Sequence, residues 1–161
     1  MSGTTTERVN PVGLGIFVAA AAMLFTAFAA SYLIRRTSSD WRPVPLPTET
    51  WVALAVLAAS SLTLEASRSR GVGTALLLGV CFFALQGIAC SRLAAQGVYL
   101  SSNPHASFYY LLTGVHGVHA LGGLIGLAAA LARPSWRGPA AFYWHFMGGA
   151  WLFLLILLTA V

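Results

Sequence analysis

The chain contains no lysine, and its four acidic residues, Glu7, Asp40, Glu49 and Glu65, stand singly along 161 positions. Charged residues amount to 8% of the sequence, against roughly 25% in a soluble globular domain. So low a charge density excludes an ordinary water-facing surface. Hydrophobic residues at 58% and a mean hydropathy of +0.77 specify lipid as the solvent instead. The formal net charge of +5 comes from nine arginines. In a soluble protein that balance points to nucleic acid. Here most arginines flank apolar stretches, the placement of membrane-interface charges, and no nucleic-acid partner is expected. Cysteine is nearly absent too. Cys81 and Cys90 fall on one apolar stretch, ~13.5 Å apart along a helix axis and on opposite faces, whereas a disulfide needs Cα atoms within about 7 Å. Both are expected to be buried as small apolar side chains.

Long apolar runs are what the sequence has in abundance. A helix rising ~1.5 Å per residue needs roughly 20 apolar residues to cross ~30 Å of hydrocarbon. Five stretches qualify, about 12–34, 51–67, 72–96, 107–132 and 140–161. The second is the shortest and carries Glu65 near its end. The runs are continuous rather than alternating, which disfavours β-barrel strands. The predicted fold class is all-α: an integral membrane bundle of five transmembrane helices, with residues 1–161 forming a single membrane domain.

The links agree with that division. "RRTSSDWRPVPLPTET" (35–50) stops one helix with two arginines and spaces three prolines by two, with Thr48 or Thr50 available to cap the next helix. "SRSRG" (67–71) is a short polar turn, "SSNPHAS" (101–107) contains an Asn-Pro breaker, and "RPSWRGP" (133–139) closes another hairpin. Trp41, Trp51, Trp136 and Trp144 fall near span boundaries, where an indole sits among headgroups, while Trp151 is expected to pack inside. The first apolar region is ~23 residues long and ends in Arg35-Arg36, whereas a signal h-region runs about 7–15, so it is read as a retained helix. Arg8, Arg68, Arg70, Arg133 and Arg137 lie on one side of the bundle, and Arg35, Arg36, Arg42 and Arg92 on the other. That difference favours a cytoplasmic N-terminus and an external C-terminus.

Histidines in lipid raise the question of a cofactor. "GVHGVH" (114–119) places His116 and His119 three apart on one helix. Counting the rise per residue, His119 lies ~20 Å and His116 ~24 Å from the inner edge, and His145 only ~7.5 Å. An axial gap of ~12–16 Å is too large for a shared metal with ligand bonds of about 2 Å, or for a haem bridging the last two helices. Glu65 is the one acidic residue within a span, so His116 and His119 lack a carboxylate or thiolate to complete a metal site. No catalytic, cofactor-binding or metal-ligating residue is therefore expected in this chain. The same bookkeeping puts Glu65 level with His145, and Gln86 level with His119. Polar groups in lipid must find partners, so Glu65 is expected to pair with His145, and Gln86 with His116 or His119, as interhelical ties. Gly122 and Gly126 in "GGLIG", together with Gly148-Gly149, are expected to let helices approach closely.

Several stretches carry a family resemblance. "FYYLLTGVHGVHALGGLIGL" (108–127) closely resembles the signature helix of haem-copper oxidase subunit III, the third subunit of cytochrome c and quinol oxidases. "YWHFMGGAWLFLLILL" (143–158) looks like the family's last helix, "LPTETWVALAVLAASSLTLEA" (46–66) resembles its proline-led helix with a double serine and terminal glutamate, and "MLFTAFAASYLIRR" (23–36) is similar to the helix ending in tyrosine and arginines. The match runs over nearly the whole chain, in order.

The resemblance implies a non-catalytic subunit III of a haem-copper terminal oxidase in a bacterial cell membrane, serving aerobic respiratory electron transport. Its implied partners are subunits I and II and membrane lipids, with haem and copper in the catalytic subunit and none here. It implies roles in stabilising that subunit, supporting proton uptake and holding lipid. Three departures bear on those roles. Five helices replace the seven of long members. Ala21-Ala22 stands where a Ser-Glu pair is expected, and Gly148 where an aspartate is common. These weigh toward structural support. Two other readings stay open on sequence: a stand-alone membrane metal- or haem-binding enzyme using His116 and His119, and an accessory subunit of a related nitric oxide reductase.

Overall fold

The computed structural model describes residues 10–66 and 71–159. Arg8, Arg68 and Arg70, used above for orientation, lie outside the described residues, as do Glu7, most of the 67–71 turn and the last two residues of the fifth span. Among the described residues there are five α-helices: α1 Pro11–Arg35, α2 Thr48–Ala66, α3 Gly71–Ala95, α4 Pro104–Ala132 and α5 Arg137–Thr159, the last entered through a 3₁₀ turn, Pro134–Trp136. No strand occurs among the described residues. All five are long and apolar enough to cross a membrane, so the chain is all-α and multi-pass.

All five helices start earlier than expected, α2, α4 and α5 by three residues and α1 and α3 by one, and proline accounts for the entries of α1, α4 and α5. Proline lacks an N–H, and the first N–H groups of a helix have no intrahelical partner anyway. Pro104 therefore opens α4 rather than breaking it, with the Asn103 Oδ1 accepting from the Ala106 N–H at 3.0 Å. Pro11 opens α1 the same way behind Asn10, whose side chain accepts from Val12 N–H at 3.0 Å. Pro134 opens the 3₁₀ turn, which brings α5 forward to Arg137. The end of α3 follows the C-terminal rule: Gly97 adopts φ 77°, and the Val98 N–H reaches back to the Leu93 carbonyl at 2.9 Å.

α5 is the hub. Of its span's apolar window 44% is buried, against 17% for α1, which is peripheral. Phe17 near the start of α1 meets Tyr143 near the start of α5, and Tyr32 near the end of α1 meets His105 at the start of α4. α1 and α5 therefore run in one direction and α4 in the other. α2 and α3 form the closest hairpin: a Cβ at Gly71 would fall on the Thr63 carbonyl, so only glycine fits there.

Three packing expectations need correction. Trp144 is fully buried rather than among headgroups, because its turn of α5 faces α2, α3 and α4. Cys81 is exposed and Cys90 half-buried; both are free, and Cys81 sits on the outward face of α3. Gly122 and Gly149 face open space, whereas a Cβ at Gly148 would lie 3.4 Å from Ser61 Oγ and one at Gly126 3.8 Å from the Ala140 Cβ; besides Gly71, the tightest approaches are at Gly79 and Gly123. The direction each residue faces around its helix axis decides its burial.

Candidate functional site

The polar groups occupy three tiers. In the tier where α1 begins, His145 Nε2 lies 2.9 Å from Glu65 Oε1, joining α5 to the end of α2. The pair is open to its surroundings, with Glu65 73% and His145 35% exposed, so Coulomb attraction across it is screened wherever water or headgroups reach.

The middle tier is built around two indoles of α5. Trp144 occupies a slot whose walls are two glycines: a Cβ at Gly79 would lie 2.9 Å from its Cη2, and one at Gly123 2.9 Å from its Cε3. Its Nε1–H donates to Ser60 Oγ at 2.9 Å, and Ser60 donates onward to the Ala75 carbonyl at 2.9 Å. One ring thus links α2, α3, α4 and α5. About two turns further along α5, Trp151 stacks on His116 with centroids 4.8 Å apart, and Phe82 meets both rings edge-on at 5.8 Å.

Neither ring nitrogen of His116 has a hydrogen-bond partner, and neither has the Gln86 amide. The expected bond between Gln86 and His116 or His119 is thus not formed: the residues share a depth, but His116 is turned onto Trp151. His119 Nδ1–H instead donates to the Val115 carbonyl of its own helix at 2.9 Å, and the Tyr143 hydroxyl donates to the His119 carbonyl at 3.0 Å. Among the described residues no group of three or more His, Cys, Asp or Glu side chains gathers as metal ligands would.

The third tier closes the opposite end, and sequence reasoning missed its key residue. His105 is fully buried; its Nδ1 accepts from the Val44 N–H at 3.0 Å, which leaves the proton on Nε2 to donate to the Leu158 carbonyl at 3.1 Å. The imidazole so pins the 36–47 connection and the end of α5 to the start of α4, under the rings of Tyr32 and Trp41. Its only signal in sequence was a histidine directly after the Asn-Pro that opens α4. Nearby, Thr50 and Tyr109 hydroxyls meet at 3.2 Å, the Tyr110 hydroxyl donates to the Val98 carbonyl at 2.8 Å, and Arg92 pairs with Glu49. Arg35 clasps Asp40 with both terminal nitrogens at 2.7 and 2.6 Å and holds its carboxyl below the usual carboxylate range.

These tiers define a class: an all-helical, multi-pass membrane protein in which several buried donors, those of Ser60, Trp144 and His105 among them, tie one helix to another. Known proteins narrow it. Probable cytochrome c oxidase subunit 3 of Nocardia farcinica is 32% identical over 174 residues, covering 91% of this chain and 86% of that protein. Cytochrome c oxidase subunit 3 and quinol oxidase subunit 3 of Bacillus subtilis are each 25% identical, over 89% and 92% of this chain and 82% and 85% of their own lengths. No family model matches the chain. Identity of 32% over 91% of this chain and 86% of the Nocardia protein shows that the chain belongs to the subunit III family of cytochrome c and quinol oxidases.

Proposed function

We propose that this chain is the non-catalytic third subunit of a haem-copper terminal oxidase of the cytochrome c type, acting in aerobic respiratory electron transport. The observation that carries the reading is the 32% identity to the Nocardia protein across 91% of this chain and 86% of that one. These relatives do not favour a stand-alone metal or haem enzyme built on His116 and His119, or an accessory subunit of a nitric oxide reductase. Residues 1–161 act as one membrane domain of the subunit III type in a bacterial cell membrane, N-terminus inside and C-terminus outside. Its partners are subunits I and II, where haem and copper reside, and the surrounding lipid.

The chain's part is mechanical. Trp144 in its glycine slot and His105 at the far end hold α5 in one register against three other helices. A rigid α5 fixes the positions of the outward apolar faces, including Ile16, Met23 and Ile34 of α1, each about two-thirds exposed or more. Such faces are what a neighbouring subunit or lipid covers. Ala21 and Ala22 leave the α1 interior without an acid, so support outweighs proton handling, and Glu65, His145, Gln86, His116 and His119 serve as buried or boundary polar groups of the scaffold. Affinity purification in mild detergent tests the reading: a co-purifying subunit with a haem absorption spectrum is expected, while haem or stoichiometric metal retained by the isolated chain would overturn it.

A further inference from the structure

We propose that the pocket where α2 ends and α5 begins is a docking site for a carboxylate carried by an apolar segment of a neighbouring subunit, and that Arg137 receives it. The proposal rests on the complex inferred above and adds a contact to it. The pocket, about 460 Å³, is lined by Leu64 of α2, Val72 of α3, Pro134 of the 3₁₀ turn, and Arg137, Gly138 and Ala141 of α5. Arg137 brings the charge to that wall. Its Nε is buried and has no hydrogen-bond partner. Gly138 leaves room beside it, since a Cβ there would meet nothing within 4 Å. Each acid among the described residues is already engaged elsewhere. Asp40 is clasped by Arg35 and Glu49 pairs with Arg92, both at the opposite end of the bundle. Glu65 is bonded to His145, about two turns further along α5. Arg137 therefore has no counter-charge among the described residues. Its position sharpens the need. It is the first residue of α5, where the helix dipole favours an anion, and the first turn supplies no acid.

The walls choose the class of anion. Leu64, Val72, Pro134 and Ala141 offer no side-chain donor. A phosphate or a small inorganic ion would leave oxygens or hydration water against apolar carbon, a desolvation cost with no bond in return. A carboxylate has two oxygens, and an Nε–H beside an Nη–H is the side-on fork that takes both. The apolar wall then covers the hydrocarbon of the segment that delivers the acid. Arg137 stands near the start of the Pro134–Thr159 span, so that segment belongs to a partner reaching the same edge of the bilayer.

The test uses the detergent-solubilised complex, affinity-tagged on this chain, with the retained subunits quantified as the complex is diluted. Arg137→Gln removes the charge at similar length. It is expected to release a neighbour at a concentration at least about tenfold higher than the native chain does, the loss of one charge-assisted pair. Arg137→Lys, which keeps the charge but not the fork, is expected to fall between them. The natural chain has no lysine, so Arg137→Lys also supplies a unique side-chain amine. Treatment of that complex with a carbodiimide is expected to join this amine to an Asp or Glu of another subunit, identified by mass spectrometry of the linked peptides. Coupling to Glu7 of the same chain, or to no acid of another subunit, overturns the site. Equal retention by native and Arg137→Gln chains overturns it as well. The isolated native and Arg137→Gln chains are expected to melt alike, and a clearly lower melting temperature for the variant assigns Arg137 to folding and overturns the docking role. All of these outcomes leave the proposed function intact, whereas a native chain that recovers no haem-bearing subunit overturns that function and this contact with it.

Discussion

Replacing Gly123 by alanine places one methyl group against the most constrained ring in the bundle. The new Cβ would stand 2.9 Å from Trp144 Cε3 and 3.2 Å from two ring carbons of Tyr143, where unstrained carbon pairs sit at about 3.5–4.0 Å. Trp144 has nowhere to retreat. Its other face lies against Gly79, and its Nε1–H is held by Ser60 at 2.9 Å. Overpacking of this kind costs about 1–3 kcal/mol, and the better helix propensity of alanine returns about 0.8–1 kcal/mol, so a net loss of up to about 2 kcal/mol is expected. Gly122→Ala is the internal control: nothing lies within 4 Å of its Cβ, and only the propensity gain of up to ~1 kcal/mol applies. The propensity gain is common to both, so at about 2–4 °C per kcal/mol for a chain of this length the two variants should melt roughly 2–12 °C apart in detergent, Gly123→Ala the lower. Adding Trp144→Phe to Gly123→Ala should relieve part of the clash and make the pair non-additive. Equal melting of the two alanine variants, or strict additivity with Trp144→Phe, would refute the slot.

Other expectations follow from the same geometry. His116→Leu removes two buried nitrogens without partners and should be neutral or stabilising in thermal unfolding, since an apolar replacement leaves nothing unpaired; a loss above about 2 kcal/mol would show that the imidazole has a partner in the assembled complex. His105→Leu leaves the Val44 N–H and Leu158 carbonyl unbonded and should cost about 1–3 kcal/mol, whereas His105→Gln, which keeps one donor and one acceptor, should recover part of that; equal losses would count against the latch. A double-mutant cycle on Glu65→Gln and His145→Ala should give a coupling no larger than about 1 kcal/mol, because Glu65 is 73% exposed. Asp40 carries a lowered pKa, so its contribution is present above the unfolded value of about 3.9 and is lost as pH falls through the lower folded value. Stability below about pH 4 should therefore fall less steeply in Asp40→Asn than in the native chain, and identical acid limbs would remove the Arg35 clasp as the cause.

How much of this was legible in the sequence depends on which coordinate is asked for. Position along a membrane helix is nearly linear in residue number at ~1.5 Å per residue. Five spans, their order and the shared level of Glu65 and His145 follow from counting alone. Direction around the axis is not linear in that way, because every span is apolar on all sides and shows no hydrophobic stripe to orient it. Trp144 was expected at a boundary and lies in the middle tier with its ring turned inward, while Cys81 and Gly122, expected to pack inside, face outward. Gln86 and His116 failed for the same reason: equal level does not bring two side chains into contact when one ring has turned onto Trp151.

A second source of illegibility lies in the acceptors. Ser60, His105 and Tyr143 each donate to a main-chain carbonyl on another helix, those of Ala75, Leu158 and His119. The Ala75 and His119 carbonyls, bonded within their own ladders, keep a second lone pair, and the Leu158 carbonyl in the last turn of α5 has no ladder partner, so any residue type supplies such an acceptor and only the donor leaves a trace in the sequence. Ties of this kind look unpaired when side chains are matched with side chains, yet in lipid they satisfy the donor and add no further polar group that itself needs satisfying. The mid-depth residues that look most functional by composition, His116 and Gln86, make none of these bonds, whereas the inconspicuous Ser60 and His105 make two each. A scaffold assembled in this way resists disruption at His116 and is sensitive at Ser60 and His105, the reverse of the ranking that histidine content alone assigns.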